Sequence, residues 1–575
     1  VKGQDGILKR ITAIICAALL LCGIMLPGGA RAAGAGFTDV PADSWAGDYI
    51  AEAVSLGIIG GYGNGVFGYG DNVTRAQFAA MLVRLFGWDA IEPDTPTFAD
   101  NADKTQWYYS AVETAVANGA VTADSADFRP NDAITRGEMA VMLVRGLGYG
   151  RLAGSLSGLA SPFTDVTENA AYIAMAYDFG IIKGMTDTTF CPSACATREQ
   201  AAAMMIRLHD ETDAKTDWLH AFYAISSYSQ RAVIPALDAV SFGWSRMELG
   251  GDGQPYLNTT ASGGNSFAVP SGSSEVVTLA RENGVADNLN VFMSAAQAVT
   301  MPDGTASDAC SAILLDDAAR QGAVAQITAE LTREGSYTGV TIDFENMSGR
   351  ALKQGFNLFL EELSGETKAL GLQLYVCVPP VTPDGNYFDA YDYRTIGTYA
   401  DKVILMAHDY AAQTLTQSEM DAGYTETPET PIYYVYYALK AITDSKTGVR
   451  DKSKLVLALS FGSTEWELKD GKVVNQTALS PLPSSVFAHL SDPTAVTGYS
   501  ETYQNPYVKY HSDTEAADYM IWYEDARSAA AKVRLAHLFG VDGVSVWRLG
   551  IIPDFEDPDG LICNYDVLGW LLAQQ

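Results

Sequence analysis

The sequence predicts a two-part architecture: a mainly α-helical module with pseudo-threefold symmetry, followed by an α/β region folded as a (β/α)₈ TIM barrel with a small insertion before its eighth strand. Three observations predict it. Related segments recur three times before residue 210. Beyond about residue 213, eight apolar strand-like runs alternate with longer, partly helical spacers. One of those runs, Tyr337 to Asn346 (YTGVTIDFEN), carries two carboxylates two residues apart.

The repeats open on Phe37-Thr38-Asp39-Val40, Phe98-Ala99-Asp100 and Phe163-Thr164-Asp165-Val166. Each closes on a related tetrad: Thr74-Arg75-Ala76-Gln77, Thr135-Arg136-Gly137-Glu138 and Thr197-Arg198-Glu199-Gln200. Thr followed three residues later by Gln or Glu, ahead of an apolar helix, is a capping box. That accounts for the first and fourth positions and leaves the arginine unexplained. Arg75, Arg136 and Arg198 at capped helix starts suit an anion, because the helix dipole adds positive potential there; solvated arginines are the plainer reading. The expected units are 33–95, 96–158 and 159–212, with the barrel over 213–575.

The barrel strands are expected at Phe222 to Ser226, Ala239 to Trp244, Asn290 to Ala295, Thr338 to Glu345, Leu372 to Pro379, Lys402 to His408, Lys454 to Phe461 and Asp542 to Leu549. Strand–helix alternation repeated eight times argues for a closed parallel sheet, with a doubly wound open sheet as the alternative. The stretch from about 463 to 520 is too long for a simple loop and reads as an insertion beside the mouth.

In a strand, residues i and i+2 leave the same face. Thr341, Asp343 and Glu345 therefore point one way, and Val340, Ile342 and Phe344 the other. Neighbouring carboxylates make each other harder to ionise, which suits acid catalysis; a strand with two solvated acids is the bland reading. Barrel chemistry sits at the C-terminal ends of strands. There the sequence also places Trp244, the run Met406-Ala407-His408-Asp409-Tyr410, and Trp547-Arg548. Tryptophan planes are platforms for sugar rings.

The formal net charge of -32 argues against nucleic acid or an anionic membrane surface as the main partner. Lys2, Lys9 and Arg10, an apolar run from Ile11 to Leu26 and Ala30-Arg31-Ala32 form the pattern of a secretory signal over residues 1–32, with a membrane anchor as the alternative. After signal removal no membrane partner is expected. Seven cysteines and six scattered histidines show no zinc spacing. Cys191 and Cys195 fit either a local bridge or two free thiols. No metal or other cofactor is expected.

Two resemblances follow from these residues. The F-x-D-V openings, Trp45 and Trp107, the Gly57-Ile58-Ile59-Gly60-Gly61-Tyr62 turn and the Thr-Arg tetrads resemble S-layer homology domains. That resemblance implies binding of an acidic secondary cell-wall polysaccharide, with Arg75, Arg136, Arg198, Trp45 and Trp107 facing it, at the surface of a Gram-positive-type bacterium. The second unit has Gly119-Ala120-Val121 where GI-x is usual; the third has Tyr172 for Trp and Met185 for Tyr. Thr338 to Glu345 resembles the D-G-x-D-x-D-x-E strand of glycoside hydrolase family 18, and most closely the spore cortex-lytic N-acetylglucosaminidases, which share a Trp522-Tyr523-Glu524-Asp525-like segment and a final W-R-L-G.

Family 18 uses substrate-assisted rather than two-carboxylate chemistry. The resemblance implies Glu345 as general acid and Asp343 as the acceptor that orients a 2-acetamido group. His408 stands where the family has Tyr, and Thr341 stands for the middle Asp, its hydroxyl able to donate to Asp343. Trp547, Asp409, Tyr410, Thr341, Trp244 and Trp522 are the implied substrate-binding residues. The implied substrate is a peptidoglycan- or chitin-like 2-acetamido glycan; the rival class is a catalytically inactive carbohydrate-binding or structural surface protein.

Overall fold

The computed structural model describes residues 36–575 apart from 157, 213, 225, 334–336, 384–387 and 556–563. The expected leader at 1–32, with Cys16 and Cys22, and also Cys563, lie outside the described residues. Among the described residues no helix is long and apolar enough to cross a membrane. Cys191, Cys195, Cys310 and Cys377 are free thiols, so the local bridge does not form.

Each repeat contributes two main helices: α1 (Gly47–Ser55) and α2 (Arg75–Leu85), α3 (Tyr109–Ala117) and α4 (Arg136–Gly146), α5 (Ala170–Asp178) and α6 (Arg198–Thr212); a short helix, Gly150–Ser155, follows α4. Capping boxes start α2 and α4, with Thr74 and Thr135 accepting from the amides of Gln77 and Glu138. The third start is half a box: Gln200 accepts from the Thr197 amide at 3.2 Å, while the Thr197 hydroxyl is buried without a partner.

The repeats interlock around an axis. The Val73 amide donates to Ala196, the Ile134 amide to Val73 and the Ala196 amide to Ile134, closing a ring of backbone hydrogen bonds. The opening aspartates have a clear task. Asp39 accepts the amides of Phe67, Gly68 and Tyr69; Asp100 those of Phe128 and Arg129; Asp165 those of Phe190 and Cys191. Each pins the glycine-turn strand of its own repeat to the loop before the first helix, satisfying backbone donors that would otherwise be orphaned.

Eight parallel strands follow: β1 (Trp218–Tyr223), β2 (Ala239–Leu249), β3 (Ala286–Ser294), β4 (Gly339–Glu345), β5 (Gln373–Val378), β6 (Lys402–Leu405), β7 (Leu455–Ser460) and β8 (Gly543–Trp547). They pair in chain order, and β1 pairs with both β2 and β8, so the sheet is closed. The doubly wound alternative is excluded. The expected strands are all present; the first begins four residues earlier than expected, because Trp218 already pairs with Gly543.

The outer ring includes α7 (Ser273–Glu282), α8 (Asp317–Leu331), α9 (Arg350–Leu370), α10 (Tyr393–Tyr399), α11 (Ile432–Ile442), α12 (Ala526–Leu538) and α13 (Val567–Leu572). Val340, Ile342 and Phe344 pack outward into this layer, where Phe344 meets Phe356 and Phe359 of α9. Between β7 and β8 lies a five-stranded antiparallel sheet, made by Thr464–Lys469, Lys472–Val473, Val496–Ser500, Asn505–Ser512 and Ala517–Trp522, with the helix Pro483–Leu490 beside it.

Only five residues separate Thr212 from Trp218, and the second and third repeats are seated on the barrel. Tyr149 is fully buried and donates to the Ala531 carbonyl of α12 at 3.1 Å. Phe179 lies between Tyr149, Tyr436 of α11 and Phe539. Asp178 accepts from Tyr436 Oη at 2.5 Å and pairs with Lys440 Nζ at 2.5 Å. A hydrogen bond to a charged group contributes about 1.5–3 kcal/mol. Asp178→Ala is expected to weaken this seating by roughly that amount or less, since Lys440 keeps access to water. The check is limited proteolysis, which should cut the connector before Trp218 faster than in the unaltered chain.

Candidate active site

The barrel interior decides how the two acids sit. Its lower layer is polar but uncharged. His220 bridges Ser545 Oγ at 2.7 Å and Ser241 Oγ at 2.8 Å, and Ser241 meets the Thr341 hydroxyl at 2.6 Å. Burial drives the His220 pKa down to about 3, so the ring is neutral. Phe222, Tyr375, Cys377, Ile404 and Ala458 fill the space around this layer, with Trp547 above.

Asp343 stands one pleat higher than Thr341 on the same face of β4. Its carboxylate is buried and accepts a long bond from Asn290 Nδ2 at 3.4 Å, while its Oδ1 has no partner among the described residues. Burial, then the neighbouring Glu345, pushes its pKa up to about 7. Glu345 ends the strand, is partly exposed at the mouth, and is likewise raised, first by burial and then by Asp409, with His408 opposing. Both acids leave the inner face and meet the opening together.

The sixth strand supplies the next group. His408 Nδ1–H donates to Asp409 Oδ2 at 2.9 Å, which leaves Nε2 as the ring atom available to a ligand. Asp409 takes a left-handed backbone, φ 60°, and its carboxyl is held low against the opposing effect of burial by His408 and Ser460. Tyr410 stacks on Tyr434 at 4.6 Å, and its buried hydroxyl has no partner among the described residues. Trp547 packs edge-on to Phe222 at 5.2 Å and forms the floor; the Trp547–Arg548 peptide is cis.

Three expected contacts are corrected. Thr341 is fully buried and bonded to Ser241, so its hydroxyl does not hold Asp343, and it lies too deep to touch a ligand. Trp244 is fully buried in the outer layer, stacked on Phe242 at 4.3 Å; the register shift between Phe242 and Ser245 belongs to the same strand end. Trp522 is buried in the inserted sheet, its indole donating to the Thr425 carbonyl at 2.6 Å, so it braces the wall of the mouth from behind.

One group at the mouth escaped the sequence reading. Glu429, in the Thr-Pro-Glu-Thr-Pro segment after β6, is buried, accepts from Thr464 Oγ1, and is raised to about 7 by burial, with Asp409 adding to the shift. Its carbonyl also receives the Tyr410 amide at 2.9 Å. No local pattern marks a loop glutamate of this kind; only the meeting of two distant segments does. Asn290 was also missed, although it alternates with Asn288 along β3 and both fall on the inner face.

The three arginines of the repeats are not solvated. Arg75 Nε donates to the Phe128 carbonyl at 2.7 Å, Arg136 Nε to Phe190 at 3.0 Å and Arg198 Nε to Phe67 at 3.0 Å. Each reaches into the next repeat in cyclic order and lies over an aromatic ring there. Trp45 and Trp107 are 50% and 59% exposed, so their indoles face solvent.

Residues 302–551 match the glycosyl hydrolases family 18 model. Residues 36–79, 97–140 and 162–202 match the S-layer homology domain. The chain thus joins three S-layer homology domains to a family 18 glycosyl hydrolase domain. It is 32% identical over 224 residues to an endoglucanase of Bacillus sp. (strain KSM-635), covering 38% of this chain and 23% of that protein. It is 26% identical over 249 residues to the cortical fragment-lytic enzyme of Bacillus subtilis (strain 168), covering 43% and 54%. The chain therefore spans from about a quarter to about half the length of these relatives. The crystal structure of the Bacillus cereus spore cortex-lytic enzyme SleL aligns at TM-score 0.48 and 20% identity over 63% of this chain and 75% of that one.

The raised Asp343 pKa has a consequence for stability. Its carboxyl has an ordinary value of 3.8 and a folded value of about 7. The folded state therefore holds the extra proton between those values, and stability falls as pH rises through that window. Asp343→Asn is expected to be increasingly more stable than the unaltered chain from pH 4 to pH 8, with little difference near pH 4, as read by urea midpoints at both ends.

Proposed function

We propose that this protein is an exported, cell-wall-anchored glycoside hydrolase. On this reading it cleaves β-1,4 bonds next to N-acetylglucosamine in peptidoglycan- or chitin-like glycans, with retention. The observation that carries it is the pair of acids leaving one face of β4 at the mouth of the barrel, Asp343 buried with an oxygen lacking a partner and Glu345 beside it with a raised pKa.

Glu345 protonates the glycosidic oxygen as the bond to the anomeric carbon breaks. A carboxyl whose pKa burial raises above the ordinary glutamate value suits that step. Asp343 Oδ1 accepts the acetamido N–H, which turns the acetamido carbonyl oxygen toward the anomeric carbon. That oxygen attacks and forms an oxazolinium ion. Glu345, now a carboxylate, removes a proton from water as it opens the ion with net retention. His408, in its doubly protonated form with Nδ1–H given to Asp409, donates Nε2–H to the acetamido oxygen, and Trp547 carries the ring of the sugar. Asp409 and Tyr410 border the same site.

The S-layer homology domains support attachment to wall polysaccharide, and likeness to a cortical fragment-lytic enzyme supports a peptidoglycan-type glycan. Residues 1–32 support export. Glu345→Gln is expected to lower turnover of an N-acetylglucosaminide reporter or of purified peptidoglycan by about 10²–10⁴-fold while binding persists. Mass spectrometry of the released muropeptides identifies the bond cut. Absence of turnover on every 2-acetamido glycan by the unaltered chain, with binding intact, would favour a carbohydrate-binding role instead.

A further inference from the structure

The wall of the barrel mouth across from β6 carries a cation that the proposed chemistry does not use. There the end of β2 pairs with β3 on one side and with the antiparallel strand Pro255–Asn258 on the other. The pairing sets a row across four strands: Asn258 lies beside Arg246, Arg246 beside Phe292, and Phe292 beside Asp343. Paired residues leave the same face of a sheet. Arg246 and Phe292 therefore share the inner face with Asp343. Glu248 and Tyr256 are paired one pleat higher, as Glu345 is one pleat above Asp343 on β4.

Arg246 is held in place from one side. Its Nε donates to Glu248 Oε1 at 2.7 Å, and its Nη2 donates to the same oxygen. Glu248 is buried and also accepts from Asn258 Nδ2 at 3.0 Å and from Tyr256 Oη, so its charge is shared among three donors. Among the described residues Nη1 of Arg246 has no partner, and neither Asp343 nor Glu345 pairs with this guanidinium. The Arg246 side chain keeps 19% exposure. Beside it Phe292 stacks on Phe267, with centroids 4.7 Å apart and planes 13° apart. The Phe267 amide is tied to Asn265 Oδ1 at 2.9 Å. This wall offers a ligand a fixed guanidinium edge next to an aromatic pair.

We infer that Arg246 sets substrate choice at this site by taking the lactyl carboxylate of an N-acetylmuramic acid next to the N-acetylglucosamine held at Asp343. A glycan of N-acetylglucosamine alone has no anion for that edge. In a glycan that alternates the two sugars, both neighbours of each N-acetylglucosamine carry the lactyl group, so an arginine beside Asp343 meets one of them. The acids of the opening repel an anionic strand, and a cation on the facing wall offsets that repulsion. A guanidinium already oriented by Glu248 loses little freedom when it binds a carboxylate. This choice rests on the reading of the barrel as a glycoside hydrolase.

The test compares kcat/KM of the full chain on soluble tetrasaccharides: one of N-acetylglucosamine alone, one alternating it with N-acetylmuramic acid, and the alternating one with its lactyl carboxylates converted to methylamides. The unaltered chain should prefer the carboxylate form to the methylamide by about tenfold, the scale of one charged contact. That comparison requires no variant to fold. In Arg246→Gln the preference should fall below about twofold, with the loss carried by KM. Arg246→Lys should keep part of the preference, since the charge remains and the fork is lost. An undiminished preference in Arg246→Gln would overturn the inference and leave the hydrolase reading in place. So would equal kcat/KM of the unaltered chain on carboxylate and methylamide. No turnover of any of these glycans by the unaltered chain would overturn both.

Discussion

The period of two along β4 is the constraint on which the proposed chemistry depends. A strand sends alternate side chains to opposite faces. In β4 this puts Val340, Ile342 and Phe344 into the helical layer and Thr341, Asp343 and Glu345 into the barrel. Burial of three apolar side chains against α9 holds the strand in one register, because a slip by one residue would exchange the two sets. The acids are presented to the mouth by packing that occurs on the other side of the sheet.

The inner face then separates two electrostatic regimes. Below, His220, Ser241, Thr341 and Ser545 satisfy one another as neutral groups, so no charge approaches Asp343 from beneath. Above, Glu345, His408, Asp409 and Glu429 crowd one opening from three chain segments. Desolvation without a cation beneath keeps the acids reluctant to ionise. Thr341, buried and bonded to Ser241, keeps this layer uncharged and closed by hydrogen bonds.

The repeats solve a separate problem with a similar economy of parts. The opening aspartate secures each turn, the tetrad threonine caps the second helix of the first two repeats and the tetrad arginine reaches the neighbouring repeat. Short, small helices that could not bury a core alone are thereby joined into a ring. Seating of Tyr149, Asp178 and Phe179 against α11 and α12 continues that core into the barrel. The five-residue connector does not act as a tether. The cleft of the barrel and the clefts of the repeats therefore have a set mutual orientation.

Local pattern was enough to read the threefold repeat, the eight strands, the capping boxes and the common face of Asp343 and Glu345, because each depends on spacings of two to four residues that backbone geometry converts directly into direction. Other features depended on segments far apart in the chain. Trp244 was expected at the mouth and is buried in the outer layer, because alternation along β2 puts it on the face of Val240 and Phe242. Thr341 bonds a serine from β2, and Glu429 arrives from a proline-flanked loop. The task of the arginines was invisible for the same reason: each guanidinium finds its partner carbonyl in the next repeat, more than fifty residues away for Arg75 and Arg136 and across the ring closure for Arg198. Sequence determined which side chains share a face; only the closed ring and the closed barrel decided what each of them meets there.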